Sequence, residues 1–308
     1  MSGPEPRGGH ERLDQYLVRT GLAGSRRAAR ALIEERCVRI NGRRPRKGDV
    51  VRAGDRVEVE HTPARPALLA DPAHRIDLLY VDQSLLIVNK PGLIPCHPLR
   101  PGERGTLMNG VAARFPETAA AGASEREGGL VHRLDNGTSG AVMVARNREA
   151  HARLRGELRA GRIIRTYLAL VMGNLSRELK LDDPIGHRRG RSHRMGTLSS
   201  GLPLRGRPRP AATRVAPVRR VGRFTLVSVT PRSGTRHQIR VHLASAGHPI
   251  ANDTLYGAPR IATLAQGRLW LHLSRLELAS QAGSAVAVEA PLPDDLRGVL
   301  EWTSPEDR

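Results

Sequence analysis

"GGLVHRLDNGTSGAVMVARN", residues 128–147, sets Asp135 between a basic pair and a glycine-bracketed polar turn. A run of small, β-branched and apolar residues follows from 139 to 147, the composition of a buried strand. A loop that delivers a carboxylate to the edge of a sheet can cap a turn, hold a metal or attack an electrophile. These twenty residues leave all three open, and the decision falls to the rest of the chain.

At 308 residues the chain is long enough for one large core and a smaller module. Lys and Arg number 50 against 30 acidic residues, a formal net charge of +20, which calls for a polyanionic partner, with nucleic acid first. Cys37 and Cys96 are the only cysteines, so neither a disulfide framework nor a thiolate zinc site is available, and a reducing, cytoplasmic setting is expected. No signal-peptide core opens the sequence and no apolar run approaches the ~18 residues of a spanning helix, so no membrane partner is expected. Aromatics are 3% of residues, so any stacking on bases rests on few side chains, among them Tyr16, Tyr167 and Tyr256.

Helical spacing is read over 12–22 and again from Ser25 through Ala28, Leu32 and Ile33. Val38 and Ile40 then lead into Asn41-Gly42, a strong hairpin signal, and alternating valines flank Gly54-Asp55. A small α/β domain over 11–60, a proline-rich linker over 61–75 and a larger α+β domain over 76–302 are expected. In the larger domain the pattern predicts a largely antiparallel mixed sheet with strands at 139–147, 163–172, 223–231 and 268–274. Helices are predicted at 148–160 and at 236–246, the latter stopped by Gly247. The tract 187–210, rich in Arg, Gly, Ser and Pro and devoid of acidic residues, reads as a mobile phosphate-contacting loop.

Charge concentrates in the first domain, where Arg26, Arg27 and Arg30 share a helix and Arg43, Arg44, Arg46 and Lys47 surround the hairpin. "RLDQYL", "SRRAARALI", "VRING" and "AGDRVEVE" resemble the small RNA-binding domain of the ribosomal-protein S-four type. That resemblance implies RNA contact by Arg26, Arg27, Arg30, Arg43 and Lys47. Where that family usually ends its second helix with Gly, this chain has Arg36, which must accept or avoid a left-handed conformation.

"YVDQSLLIVNKPGLIPCHP", the opening stretch, "IIRTYLALVMGN" and "PRSGTRHQIRVHLASAGHPIANDTLYG" follow one another in an order that closely resembles the RluA-type pseudouridine synthases. The resemblance implies a pseudouridine synthase fold, no metal and no organic cofactor, and an RNA substrate. Large-subunit ribosomal RNA is favoured and transfer RNA comes second; a monomer is expected. Matched residue by residue, it implies that Asp135 is the catalytic aspartate and that Arg133 fills the space left by the target base. Tyr167 matches the active-site tyrosine and Arg240 the arginine that pairs with the aspartate. One departure is Gly234-Thr235-Arg236-His237-Gln238, where the family commonly has Arg before Thr, so Arg236 receives no role.

The chemistry fits these residue types. Turning a uridine into pseudouridine breaks the bond from nitrogen to ribose and rejoins carbon 5 of the base to the same sugar carbon. A carboxylate near that carbon is required, either to attack it or to remove the adjacent ribose proton. Strand alternation puts Arg165 and Tyr167 on one face, where a ring can stack on a base taken out of its helix. Asp82 and Lys90 read as strand-end residues, Cys96 as a small buried group, and His237, His242 and His248 lie on different helix faces without a metal-ligand pattern. The competing reading is a non-catalytic RNA-binding or ribosome-assembly factor built on the same fold.

Overall fold

The computed structural model describes residues 6, 9–23, 26–46, 48–60, 68–100, 102–122, 124–190, 194–280 and 283–301. The chain divides into two compact units, Met1–Arg65 and Pro66–Arg308. Lys47, expected to contact RNA, and Ser25, expected to open the second helix, lie outside the described residues, as does the side chain of Arg27.

The first unit runs β1 (His10–Arg12), α1 (Leu13–Arg19), α2 (Arg26–Glu34), β2 (Val38–Ile40), β3 (Val50–Arg52) and β4 (Val57–Val59). Leu13, Tyr16 and Leu17 of α1, Ala29 and Ile33 of α2, and Val38, Ile40 and Val51 of the strands form its core. Asn41 and Gly42 both have positive φ, 51° and 77°, as the tightest hairpin turn requires. That turn closes only one bridge, Ile40 to Arg43, because the ladder of β2 is made with β4 and that of β1 with β3. Arg36 accepts the left-handed conformation at φ 60°. Its N–H bonds the Ile33 carbonyl and the Cys37 N–H bonds that of Leu32, the paired bonds of a Schellman helix end made without glycine.

The second unit opens with β5 (Asp77–Val81), β6 (Leu85–Lys90), α3 (Leu107–Arg114), β7 (Ser139–Ala145), α4 (Arg148–Arg159), β8 (Ile164–Met172) and β9 (Leu179–Leu181). Then come β10 (Ile185–Arg188), β11 (Met195–Thr197), β12 (Leu204–Arg209), β13 (Thr213–Val221) and β14 (Phe224–Pro231). The last elements are α5 (Gln238–Ser245), β15 (Leu271–Ala279), β16 (Ala285–Glu289) and α6 (Asp294–Leu300). Nine strands form one sheet in the order β5-β6-β7-β15-β8-β14-β13-β9, with β16 added beside β15. Every pairing in it is antiparallel except β7 with β15. All seven residues of β7 are buried, which suits its continuous small and apolar run. Gly140 is obligatory there: at φ 119°, a Cβ would stand 2.3 Å from the Leu273 carbonyl oxygen. Asn147 caps α4 by accepting the Ala150 N–H at 2.8 Å.

Several expectations are corrected. Outside 191–193, which lie beyond the described residues, the tract 187–210 is not an irregular loop: β10 pairs antiparallel with both β11 and β12 in a separate three-stranded sheet. Glycine and proline content obscured strands that pack on α5 through Ile185 and Met195. The strand expected at 268–274 runs 271–279 instead, because the backbone N–H groups of Arg268, Leu269 and Trp270 bond the carbonyls of Ala265, Gly137 and Ala251 rather than a neighbouring strand of the ladder. The helix expected from 236 begins at Gln238, since His237 is left-handed at φ 54°. Of the stretch read as linker, 61–67 lie outside the described residues, whereas Leu68 is in the second unit's core and the Leu69 carbonyl accepts from Asn109.

Candidate active site

Asp135 sits in the loop entering β7, closed on itself by the Thr138 N–H bonding the Asp135 carbonyl. The loop is held from behind by two buried cations. Lys90 Nζ donates to the carbonyls of Pro91 and Ile94, both at 2.8 Å, and of Asn136 at 3.3 Å. Burial pushes the Lys90 amine down to about 8. Arg268 donates to the Gly137 carbonyl at 2.7 Å and to Ser139 Oγ at 2.8 Å, and pairs with Asp295 at 2.6 Å. With its backbone carbonyls tied in this way, the loop presents Asp135 from a rigid base.

Arg240, in the first turn of α5, reaches this carboxylate from 105 residues away. Its Nη1 donates to Asp135 Oδ2 at 3.0 Å, while Nε and Nη2 donate to Asp253 Oδ2 and Oδ1 at 2.7 and 2.9 Å. Burial alone would lower the guanidinium's pKa, but the Asp253 and Asp135 carboxylates more than offset it and hold Arg240 charged. The other Asp135 oxygen, Oδ1, faces His237, whose Nε2 is 4.0 Å away. His237 Nδ1 meets the Tyr256 hydroxyl at 3.0 Å, and that hydroxyl accepts the Met195 N–H at 2.9 Å. The Tyr256 hydroxyl can donate to Nδ1 in the tautomer that carries the ring's N–H on Nε2, the nitrogen nearer Asp135. Burial, with Arg240 and Arg236 adding repulsion against the pull of Asp135, lowers His237 to about 4, so it is neutral at pH 7.

Tyr167 lies on β8 between Leu273 and Val229 of the neighbouring strands and is buried. Burial raises its phenol. Its strand neighbour on the same face, Arg165, donates to the Ser233 carbonyl at 2.8 Å and keeps a buried Nε without a partner. Asp135, Arg165, Tyr167, His237 and Arg240 line one open cleft with Ile239 and Leu271. Arg133 stands at its rim, with Nη1 3.3 Å from His97 Nε2 and 3.9 Å from Glu127.

The structure thus gathers Asp135, Tyr167, Arg240 and Arg133 around one cleft. Arg26, Arg30 and Arg43 belong to the other unit, where all three are exposed; Arg30 pairs with Asp14 at 3.4 Å and Arg43 with Asp49 at 3.6 Å. Asp253, His237 and Arg165 were missed as site residues. For Arg165 the signal was available, since it shares a strand face with Tyr167; for buried Asp253 only its polar loop setting hinted at anything. Lys90, read as a strand-end residue, is fully buried beneath the site. Among the described residues no group of three or more His, Cys, Asp or Glu side chains is arranged to hold a metal ion. His242 bonds Thr213 and the Asp183 carbonyl, and His248 the Met172 carbonyl, so each has its own protein partners. No helix among the described residues is long and apolar enough to cross a membrane.

Comparison with known proteins bears on this cleft. Residues 84–245 match the family described as RNA pseudouridylate synthase, and residues 11–57 match the S4 domain. Over 94% of its length the chain is 36% identical to an uncharacterized RNA pseudouridine synthase of Chloroflexus aurantiacus, of which it covers 89%. It is 32% identical, over 94% of its length and 83% of the relative's, to the ribosomal large subunit pseudouridine synthase D of Nitrosomonas europaea. Among solved structures, human RNA pseudouridylate synthase domain containing 1 superposes with a TM-score of 0.57 at 25% identity, covering 75% of this chain and 90% of that one.

Proposed function

The chain belongs to the RluA-type family of RNA pseudouridine synthases and is an isomerase, and from that premise we propose that it acts on uridines of large-subunit ribosomal RNA through Asp135. The observation that carries this reading is the division of labour at the carboxylate. Arg240 takes Oδ2, and Oδ1 is left facing the His237 ring, whose Nε2 is 4.0 Å away.

Oδ1 is then the reactive oxygen. It either bonds to the anomeric carbon as the bond to nitrogen 1 breaks, or removes the adjacent ribose proton as the uracil anion departs. The detached base turns, and its carbon 5 bonds to the sugar carbon as the bond to Oδ1 breaks or the ribose proton is returned; carbon 5 then loses its proton and nitrogen 1 gains one, so no atom of the nucleotide is gained or lost overall. Asp135, Arg240 and Asp253 together carry one net negative charge, which suits the positive character that develops on the ribose.

The target base has to leave its stack at a cost on the order of a few kcal/mol. Arg133, resting on His97 and Glu127 at the rim, fills the vacated space in this reading, and Tyr167 stacks on the extruded uracil. Because burial raises the Tyr167 phenol, stacking is its principal role and proton removal is not. The first unit, with exposed Arg26, Arg30 and Arg43, supplies further contacts to the RNA backbone.

The test is Asp135→Asn, measured on transcripts of large-subunit ribosomal RNA. Pseudouridine formation is abolished and RNA binding stays within a few-fold. Substantial residual turnover refutes the role, and a lost cooperative melt makes Asp135 structural. Pseudouridine mapping in cellular RNA with and without the gene identifies the target.

A further inference from the structure

We propose that the small sheet of β10, β11 and β12 is a second RNA-backbone binding surface, built beside the cleft and distinct from the N-terminal unit. The choice of RNA over other polyanions rests on the function proposed above. From Pro184 to Asn252 the chain has 69 residues without one Asp or Glu and with 14 arginines. Most of the formal net charge of +20 is thus concentrated in under a quarter of the sequence.

Folding does not disperse this charge into a loop. β12 is an edge strand of the small sheet, and its Arg205, Arg207 and Arg209 are all exposed. Among the described residues none of the three has a carboxylate partner. Three other arginines of the same unit are neutralised, Arg214 by Glu178 at 2.7 Å, Arg146 by Glu117 at 2.8 Å and Arg275 by Glu289 at 2.9 Å. Unneutralised like charges on one short strand repel one another and cost stability, a cost that a polyanion removes. Charged residues on an edge strand also discourage strand-to-strand aggregation, but that purpose is served by either sign and gives no reason for arginine alone.

The position of the sheet gives the charge its use. Ile185 and Met195 form a small apolar cluster with Val241 of α5, the helix that carries Arg240. Thr197 Oγ1 and Ser245 Oγ meet at 3.1 Å further along the same helix. The Met195 N–H bonds the Tyr256 hydroxyl, which bonds His237 in the cleft wall. A phosphate chain lying on β12 is thereby bound by a sheet whose other strands are anchored on the helix that carries Arg240.

The experiment uses the full chain with Arg205, Arg207 and Arg209 changed together to Ala, and in a second variant together to Lys. Affinity for a short RNA hairpin is measured over a series of KCl concentrations. The Ala variant should lower the slope of log affinity against log salt by about 2 to 3, at roughly 0.7–0.9 for each phosphate that is no longer neutralised. Its turnover at saturating ribosomal RNA transcript should stay within about twofold, and the Lys variant should keep the original slope. An Ala variant with the original slope and an unchanged melt overturns the proposal, and so does a Lys variant that behaves like the Ala one. Absence of pseudouridine formation by the unaltered protein counts against the proposed function alone, because the slope needs no turnover.

Discussion

Asp253, 1% exposed, grips Arg240 at Nε and Nη2, while Nη1 donates to Asp135. The arginine is therefore a fixed fork whose orientation is set from behind. A guanidinium held by Asp135 alone would be free to swing with its long side chain, and the Asp135 carboxylate with it.

Asp253→Asn keeps the shape and removes the charge that fixes the fork. Turnover is expected to fall by ~100-fold, the scale of a ~1 Å misplacement at a reacting centre, with RNA affinity within a few-fold. Steady-state kinetics beside a binding titration separates the two quantities. Parallel loss of affinity and turnover would make Asp253 part of the RNA-binding surface instead.

Tyr167 offers two separable contributions, because Phe keeps the ring and Ala removes it. Tyr167→Phe should retain turnover within about tenfold, since the raised phenol is a poor base. Tyr167→Ala should lose ~1–3 kcal/mol of base capture. Tritium release from carbon 5 of the target uridine is the decisive readout: a Phe variant that binds normally but stalls before release assigns the hydroxyl to proton transfer.

His132, buried just before the loop, accepts the Met143 N–H on Nε2, and burial with repulsion from Arg165 and Arg155 pushes it down to about 3. In the unfolded chain it titrates near ~6.5. As pH falls the unfolded state takes up the proton first, so this contribution is complete above ~6.5 and is lost progressively toward pH 3, an amount on the order of 5 kcal/mol. Denaturant titrations at successive pH values should show a shallower acid slope for His132→Gln than for the unaltered protein. Identical slopes would mean that other groups control acid unfolding.

Arg36 ends α2 in a conformation that glycine adopts without a steric penalty. Relief of ~1–2 kcal/mol of left-handed strain, less the ~0.5–1 kcal/mol of backbone entropy that glycine forfeits, predicts that Arg36→Gly stabilises the first unit by up to ~1.5 kcal/mol. Amide exchange in α2 measures it, and faster exchange would show that the Arg36 side chain contributes more than its backbone strain costs.

Local chemistry was legible in the chain itself. The alternation on 164–172 puts Arg165 and Tyr167 on one face, and Asn41-Gly42 can make only a turn with two positive φ angles. The run 139–145, uniformly small and apolar with two valines, has the composition of the buried strand it forms. These properties depend on neighbours a few residues apart, which periodicity and turn chemistry encode. Partnership across the fold is a different matter. The sequence determined that Asp135 and Arg240 carry opposite charges, whereas only packing decided that Asp253 would take Nε and Nη2 of the guanidinium and leave Nη1 to Asp135. Lys90 looked like the end of a strand until three carbonyls from two loops closed over its amine, and the arginine tract looked like a loop until its apolar Ile185 and Met195 found α5. In each case the deciding quantity is desolvation by distant residues, and burial belongs to the assembled molecule rather than to any local stretch of its sequence.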